Sequence, residues 1–330
     1  MLAAEFPAVK EVQKWLGNPQ EATFDSLSVK QLQYHMTLLK WFSTLKYEDP
    51  TTNAKFLLLA EERYVCWLSL LKYWTWDTNT IPVPPIDVAL MWHAHLLSPF
   101  AYYEDMSLLE HNGLLLEYEF PLEKLHEVYL NDCQVPEDSV RAWEEFAGKP
   151  YHLQLDDFPK YKTHCPWCKA EFDLSWEEAV DLRTRKRPQV HIKCSTCNAP
   201  YNRDVLSGHQ FWSHVHRHLT VPYTYLRGTV IDVNQGAQLE ARTDMDHAIL
   251  FDGLSAQEAA DRRNNWRACR WKNILFELRE VETRARRRRF YRNVRPYTIT
   301  RIISRYREQL SPFSLDLCRA VLRQHEFTTK

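Results

Sequence analysis

The sequence predicts a mainly α-helical protein with an inserted cysteine-rich module. Apolar residues recur at helical spacing through the first half of the chain, and two Cys-x-x-Cys pairs lie near its middle. Only 7 of the 330 residues are glycine, which disfavours folds and phosphate sites built on glycine turns. We therefore expect three parts: a helical domain over residues 1–150, a four-cysteine zinc-knuckle module with a histidine-rich segment over 151–230, and a helical region with a long basic helix over 231–330.

Composition excludes wholesale disorder and disfavours a membrane-spanning helix. Hydrophobic residues make up 45% of the chain and charged residues 26%, so the chain can bury a large core. The longest apolar candidate, around Phe56 to Trp74, contains four charged residues and cannot supply the roughly 18 to 20 uncharged residues that a membrane helix needs. Because Met1 to Lys14 has no secretory-signal pattern, we expect an intracellular protein, cytoplasmic with the nucleus as the alternative.

The first part of the chain is predicted to contain several packed amphipathic helices. Apolar side chains recur from Leu32 through Met36 to Phe42, and again from Leu57 to Trp74. Asp49-Pro50 marks the break between these two helices, and the prolines of 81–85 end the second, because proline lacks the amide donor of a helix interior. A further helix is predicted from Pro136 to Phe146, with proline in its first turn.

The most specific motif is a pair of cysteine knuckles, Cys165-Pro-Trp-Cys168 and Cys194-Ser-Thr-Cys197. Two such knuckles supply the four thiolates of a closed tetrahedral zinc site, and a short helix over 175–183 would absorb the 25 residues between them. The alternative is a redox-active Cys-x-x-Cys, but that motif opens a helix after a strand and needs no second pair. We therefore predict a structural zinc ion held by Cys165, Cys168, Cys194 and Cys197.

A second motif, Trp92-His93-Ala-His95, contains two closely spaced histidines. The segment reads as a helix capped by Asp87, on which His93 and His95 lie about 200° apart and cannot hold one ion. We favour two interior histidines that are hydrogen bonded to backbone or carboxylate groups. The sharper alternative is a metal or acid/base site with Asp87 or Asp105 as the orienting carboxylate.

Histidines also cluster at His209, His214, His216 and His218. On a helix His214 and His218 could both bind one metal ion, but without a carboxylate or cysteine at a recognised spacing we favour an exposed polar patch.

The C-terminal third concentrates positive charge. Residues 262–309 contain 16 Lys and Arg against 4 Asp and Glu. A single long helix is predicted from Ser255 to Tyr291, opened by a Ser255/Glu258 capping box, and a last helix is predicted to start at Ser311-Pro312. The long helix ends in an arginine run that consists of Arg284, Arg286, Arg287, Arg288, Arg289 and Arg292. This run is interpreted as a solvated helix end, with a nuclear-import segment or a surface for nucleic-acid phosphates as the functional alternatives.

Three stretches together resemble the glycine-rich domain-containing protein-like family of fungi and plants. They are Pro84-Pro-Ile-Asp87 through His95 to Ser98-Pro99, the two knuckles followed by Leu226-Arg-Gly-Thr229, and Pro312 to Asp316 with Val321 to Gln324. The knuckle insertion is similar to the fungal form, and the sequence has no glycine-rich tail. The resemblance implies a helical domain whose biochemistry is unsettled and whose plant members are associated with growth and stress responses.

Three functional hypotheses follow from these motifs. The first is a zinc-stabilised intracellular binding or scaffold protein with a protein partner, because the most specific motif is structural and neither GxSxG nor HExxH is present. The second is an enzyme with a pocket near His93 and His95. The third is a nucleic-acid-associated protein that uses the arginine run.

Overall fold

The structure is a computed structural model that describes residues 28–74, 81–109, 114–184, 192–221, 224, 226–229, 254–287, 297–307 and 309–328. The chain divides into two compact units, unit 1 comprising Met1–Phe158 with Leu317–Lys330 and unit 2 comprising Pro159–Asp316. The predicted mainly α class is confirmed, since 13 α-helices and four short strands occupy the described ranges. The three-part division by composition stays a prediction.

Within the described ranges the elements follow in this order along the chain. The helices are α1 Val29–Ser43, α2 Pro50–Tyr73, α3 Ile86–Leu96, α4 Pro99–Leu109, α5 Leu114–Glu117, α6 Leu122–Leu130, α7 Glu137–Ala147, α8 Trp176–Thr184, α9 Arg203–Thr220, α10 Ala256–Asn264, α11 Trp271–Arg287, α12 Tyr297–Tyr306 and α13 Leu317–Thr328. The strands are β1 Tyr161–His164, β2 Glu171–Leu174, β3 Ile192–Lys193 and β4 Pro200–Tyr201. No helix of these ranges has both the length and the apolar character of a membrane span.

Local side-chain chemistry sets the helix ends of unit 1. Ser28 and Gln31 form a capping box at the start of α1. Asp49 accepts from the backbone N–H of Thr52 and Pro50 follows as the first helical residue, so the predicted break between α1 and α2 is confirmed. Gly148 ends α7 with a φ of 60°, a left-handed conformation in which glycine has no Cβ penalty.

The inward face of α1 differs from the predicted one. Tyr34, Leu38 and Phe42 are buried, whereas Leu32 and Met36 are 52% and 70% exposed. The difference arises because α1 packs against α6, where the Tyr34 hydroxyl donates to the Glu123 carboxylate. Tyr34, whose ring is apolar and whose hydroxyl is polar, is buried on this face, whereas the sequence pattern placed Leu32 and Met36 there.

The core of unit 1 is built around α2. Trp67 is fully buried, and its ring lies 6.5 Å from that of Trp92 and 6.3 Å from that of Trp143. The C-terminal helix α13 packs on α2 and α3. It begins at Leu317 rather than at the predicted Ser311-Pro312, because side chains bind the Phe313 and Ser314 carbonyls that a helix would use: Gln309 donates to the first and Arg305 to the second.

Unit 2 contains two antiparallel hairpins and a helical core. Strand β1 pairs with β2 and β3 with β4, while α9 packs against α10, α11 and α12. The predicted helix from Ser255 to Tyr291 is wrong in its continuity, since α10 ends at Asn264 and α11 starts at Trp271. Asn265 causes the break, because its side-chain oxygen accepts from the backbone N–H of Arg267 in a local turn. The predicted Ser255/Glu258 capping box is present.

Candidate metal centre

Each cysteine knuckle is a tight turn at the end of a strand. The backbone N–H of Cys165 donates to the carbonyl of Ala170, and the N–H of Cys194 donates to the carbonyl of Ala199, both at 2.9 Å. The first knuckle joins β1 to β2 and the second joins β3 to β4, so neither opens a helix as a redox-active Cys-x-x-Cys would. The two turns therefore have the same local geometry despite their different sequences.

The residue after each second cysteine completes the turn. The backbone N–H groups of Lys169 and Asn198 donate to the carbonyls of Cys165 and Cys194, again at 2.9 Å. Lys169 has a φ of 64° and Asn198 a φ of 55°. This left-handed conformation costs a lysine more than an asparagine, so the first knuckle is the more strained of the two.

The four cysteine sulfurs converge on one point. One Sγ atom from each of Cys165, Cys168, Cys194 and Cys197 lies within 4.8 Å of the others. The Sγ atoms of Cys165 and Cys197 are 3.6 Å apart, and those of Cys168 and Cys194 are 3.4 Å apart. The backbone N–H of Cys197 lowers the pKa of the Cys194 thiol to about 6, whereas burial raises the pKa of the Cys165 and Cys197 thiols. These four side chains can hold a metal ion.

Contacts between side chains tie the two hairpins together. The hydroxyls of Thr163 and Tyr201 are hydrogen bonded at 2.6 Å, and the ring of Phe172 meets that of Tyr201 edge-on at 5.0 Å. Trp167, inside the first knuckle, donates its indole N–H to the carbonyl of Arg263 at 3.2 Å. The knuckle is therefore anchored to the helical part of unit 2.

His95 lies in the interior of unit 1. It is fully buried, and its Nε2–H donates to the Asp105 carboxylate at 3.1 Å. Its Nδ1 accepts from the Tyr64 hydroxyl at 3.2 Å, and Tyr102 packs edge-on against the ring. Since Tyr64, His95 and Asp105 belong to α2, α3 and α4, this network connects three helices.

His93 points to a different part of unit 1. The side-chain amide of Gln324 donates to its Nδ1 at 3.3 Å, which leaves the His93 proton on Nε2, 2.9 Å from Nε2 of His35. Phe42 and Phe120 surround the ring. Burial, followed by the nearby His35, lowers the pKa of His93 to about 4. The imidazole is therefore neutral in the folded protein at neutral pH.

Asp87 belongs to a buried ion pair. Its carboxylate accepts from Arg63 Nε at 2.6 Å, and Arg63 also donates to the carbonyls of Pro150 and Tyr151. Burial raises the pKa of Asp87, and the guanidinium opposes that rise. The prediction that Asp87 caps the helix is wrong: Pro85 is the N-cap residue, and Asp87 lies in the first turn, turned toward Arg63.

The predicted exposed histidine patch is also wrong. His209, His214, His216 and His218 lie on α9, where the first three are half-buried and His218 is buried. His214 Nδ1 lies 2.8 Å from the Tyr306 hydroxyl, and His218 Nδ1 donates to the carbonyl of Thr224. His214 and His218 therefore each have a partner within unit 2, because α9 is surrounded by other helices.

The arginine run falls mostly outside the described residues. Arg284, Arg286 and Arg287 belong to the last turns of α11, and Arg288, Arg289 and Arg292 lie outside the described ranges. The role of this run stays a prediction.

Sequence reasoning found the four cysteines and the two histidines of Trp92-His93-Ala-His95, but it missed their long-range partners. The partners of the two histidines are His35, Tyr64 and Gln324, and the partner missed for Asp87 is Arg63. Tyr64 belonged to a predicted inward stripe, whereas no local pattern places Gln324 beside a residue 231 positions earlier.

Comparison with known protein families locates the resemblance in unit 1. Residues 25–105 match the family model described as glycine-rich domain-containing protein-like. This segment of the chain is therefore similar to that family. It includes α1 to α3, the first part of α4, and both His93 and His95, whereas Gln324 and Phe120 beside His93 lie outside it. The resemblance is confirmed over that part of the chain. Comparisons with curated proteins and with solved structures gave no match.

Proposed function

We propose that the protein is a zinc-stabilised intracellular binding or scaffold protein, in which Cys165, Cys168, Cys194 and Cys197 hold one zinc ion. The observation that carries this proposal is the convergence of four sulfur atoms within 4.8 Å. Four thiolates in a tetrahedral arrangement suit zinc or an iron–sulfur cluster, and two short knuckles at the ends of hairpins favour zinc. An intracellular location agrees with this chemistry, because that compartment keeps thiols reduced.

A structural role for the ion follows from the donor set. Four cysteines fill the coordination of zinc, so no position is left for water or substrate. The ion would connect the β1–β2 turn to the β3–β4 turn. It would thereby stabilise the first knuckle, whose Trp167 is hydrogen bonded to the Arg263 carbonyl. Binding of the metal would then contribute to the folding free energy of unit 2.

An enzyme centred on His93 and His95 has less support. The two imidazoles have separate partners, and each is engaged with side chains from other helices of unit 1. A cavity of about 500 Å³ in unit 1 is lined by Trp74, Val83, Lys124 and Ser139 among others, and neither histidine lines it. These contacts are those of a core that holds α1 to α4 and α13 together.

Metal analysis of the purified protein tests the proposal. We expect one zinc per chain by inductively coupled plasma mass spectrometry, and loss of that zinc in the Cys165→Ser/Cys194→Ser variant. The matched control is Cys133→Ser, since Cys133 is exposed and distant in sequence from both knuckles. Chelation should increase hydrogen exchange in β1 to β4 while leaving α2 and α3 unchanged. A protein purified without metal, or zinc retained by the double variant, would refute the proposal.

A further inference from the structure

The end of α10, the turn that follows it and the start of α11 have an unusually basic sequence. Residues 262–273 contain five Lys and Arg, two tryptophans and no acidic residue. This stretch precedes the arginine run, and residues 265–270 within it form the turn between the two helices. The backbone N–H of Cys269 donates to the Asn265 carbonyl, and the Asn273 side chain donates to the Arg267 carbonyl at 2.7 Å.

Buried contacts hold this turn on the core of unit 2. Trp271 is buried, and its indole N–H donates to the Ser207 hydroxyl at 2.6 Å. Its backbone N–H donates to the Asp204 carboxylate at 3.1 Å, and Cys269 is fully buried beneath the turn. The outward residues of the turn are therefore displayed from a rigid base.

The outward residues form a layered aromatic and cationic surface. Arg267 Cζ lies 4.8 Å and Arg270 Cζ 5.1 Å from the ring centroid of the half-buried Trp266. Neither arginine pairs with a carboxylate in the part of the chain that the structure describes, whereas Arg262 pairs with Glu277 at 3.3 Å. A guanidinium fixed on an indole keeps its charge and its outer face available for a further planar group.

The first knuckle extends this surface. Trp167 is anchored to the Arg263 carbonyl, and its ring meets His209 edge-on at 5.7 Å. Burial, together with the charges of Lys169 and Arg263, lowers the pKa of His209 to about 4, as expected where cations from the knuckle and from α10 face the same residue. Positive charge therefore lies both on the first knuckle, at Lys169, and on α10, at Arg263.

Acidic residues of α9 and α10 are hydrogen bonded to other groups of unit 2. Asp204 accepts from the backbone of Trp271, and Asp261 accepts from the Gln257 side chain at 2.9 Å. Glu258 is the capping-box partner of Ser255. None of these carboxylates forms an ion pair with Arg267 or Arg270 in the described ranges, so both guanidinium groups remain available to a ligand.

We infer that Trp266, Arg267 and Arg270, together with Arg263 and Lys169 beside the first knuckle, form a binding surface for single-stranded nucleic acid. Unstacked bases can stack on the Arg–Trp layers, while the charges of Arg267, Arg270, Arg263 and Lys169 neutralise phosphates. The bases of a duplex are stacked on each other, and Asp and Glu side chains of an acidic peptide carry no rings. A single strand can therefore contact both the aromatic and the cationic groups of this surface, whereas the other two contact mainly the cationic groups. The inference rests on the proposed binding function and names its partner.

Fluorescence anisotropy with a labelled mixed-sequence RNA of about 20 nucleotides tests this inference. We expect binding that weakens with salt, and Trp266→Ala should weaken it by roughly fivefold or more. Arg267→Gln/Arg270→Gln should reduce the slope of log K against log salt by about 1.4, as expected for two lost phosphate contacts. The matched control, Arg141→Gln/Lys149→Gln, removes the same charge from exposed positions of unit 1 and should leave binding unchanged.

Several outcomes would overturn the inference. One is the absence of RNA binding at low ionic strength, and another is equal weakening by the control pair. Weakening by Arg286→Gln/Arg287→Gln alone would assign binding to the arginine run instead, and equal displacement by polyglutamate would indicate a general polyanion surface. Zinc content is measured on the same samples: zinc without RNA binding refutes only this inference, and RNA binding without zinc refutes only the proposed metal site.

Discussion

Replacement of Gly208 by alanine tests how closely α9 packs against the α10–α11 turn. In an exposed helix this change stabilises by about 1 kcal/mol, because glycine is a poor helix former. At this position, however, a Cβ atom would lie 1.8 Å from the Cys269 carbonyl oxygen and 2.7 Å from its carbon. The turn would have to move by about 1.6 Å to restore an ordinary contact of 3.4 Å.

The steric effect should exceed the helix propensity. Overpacking of a core costs about 1–3 kcal/mol, and the upper end applies because the obstacle is backbone rather than a flexible side chain. After the gain of about 1 kcal/mol in helix propensity, Gly208→Ala should destabilise unit 2 by about 2 kcal/mol. This loss corresponds to roughly 30-fold faster hydrogen exchange at the most protected amides of α9 and α11.

Hydrogen-exchange mass spectrometry of metal-loaded protein measures this change in exchange rate for each unit separately. The control is Ser213→Ala in the same helix, which removes one hydrogen bond to the His209 carbonyl and adds no atom to the contact. Its effect should stay within about 1 kcal/mol. Exchange in α9 that is unchanged or slower in Gly208→Ala would refute the close approach of α9 to the turn.

Three further predictions concern charge and capping. Asp87→Asn should destabilise unit 1 by about 3 kcal/mol, since it leaves the buried charge of Arg63 with carbonyl partners only; a loss in urea unfolding below about 1 kcal/mol would contradict the pair. The pKa of His93 is about 4 in the folded protein, against an ordinary value of 6.5, so the unfolded chain takes up a proton at this residue before the folded protein does. The free energy of unfolding of unit 1 should therefore fall by up to about 3 kcal/mol as the pH falls from 6.5 to 4. His93→Gln should flatten that pH profile of hydrogen exchange, and an unaltered profile would assign it to other groups. Ser255→Ala should cost about 1 kcal/mol and speed exchange at the first amides of α10, whereas unchanged exchange there would contradict the capping box.

Local signals in the sequence predicted the elements well where neighbouring residues decide them. Asp49-Pro50, Pro136 and the Ser255/Glu258 pair mark helix starts because caps act within one turn. The same reasoning failed at Asn265, where one side chain closes a turn inside an otherwise helical pattern. It also failed on α1, whose buried face is chosen by its packing against α6.

The candidate sites also differ in whether neighbouring residues or long-range packing determine them. Four cysteines in two Cys-x-x-Cys pairs form a pattern readable from spacing alone, and their sulfurs do converge. Asp87, by contrast, looked like a cap because it is polar and precedes an apolar helix, yet its partner Arg63 lies 24 residues earlier in a different helix. The partners of His93, His35 on α1 and Gln324 on α13, could be identified only once the helices were packed.

X-ray absorption spectroscopy at the zinc edge of the purified protein addresses the metal centre most directly. With Cys165, Cys168, Cys194 and Cys197 as ligands, the first shell should contain four sulfur scatterers at about 2.3 Å and no nitrogen or oxygen. A shell with imidazole or water scatterers, or with fewer than four sulfurs, would contradict the closed four-cysteine site.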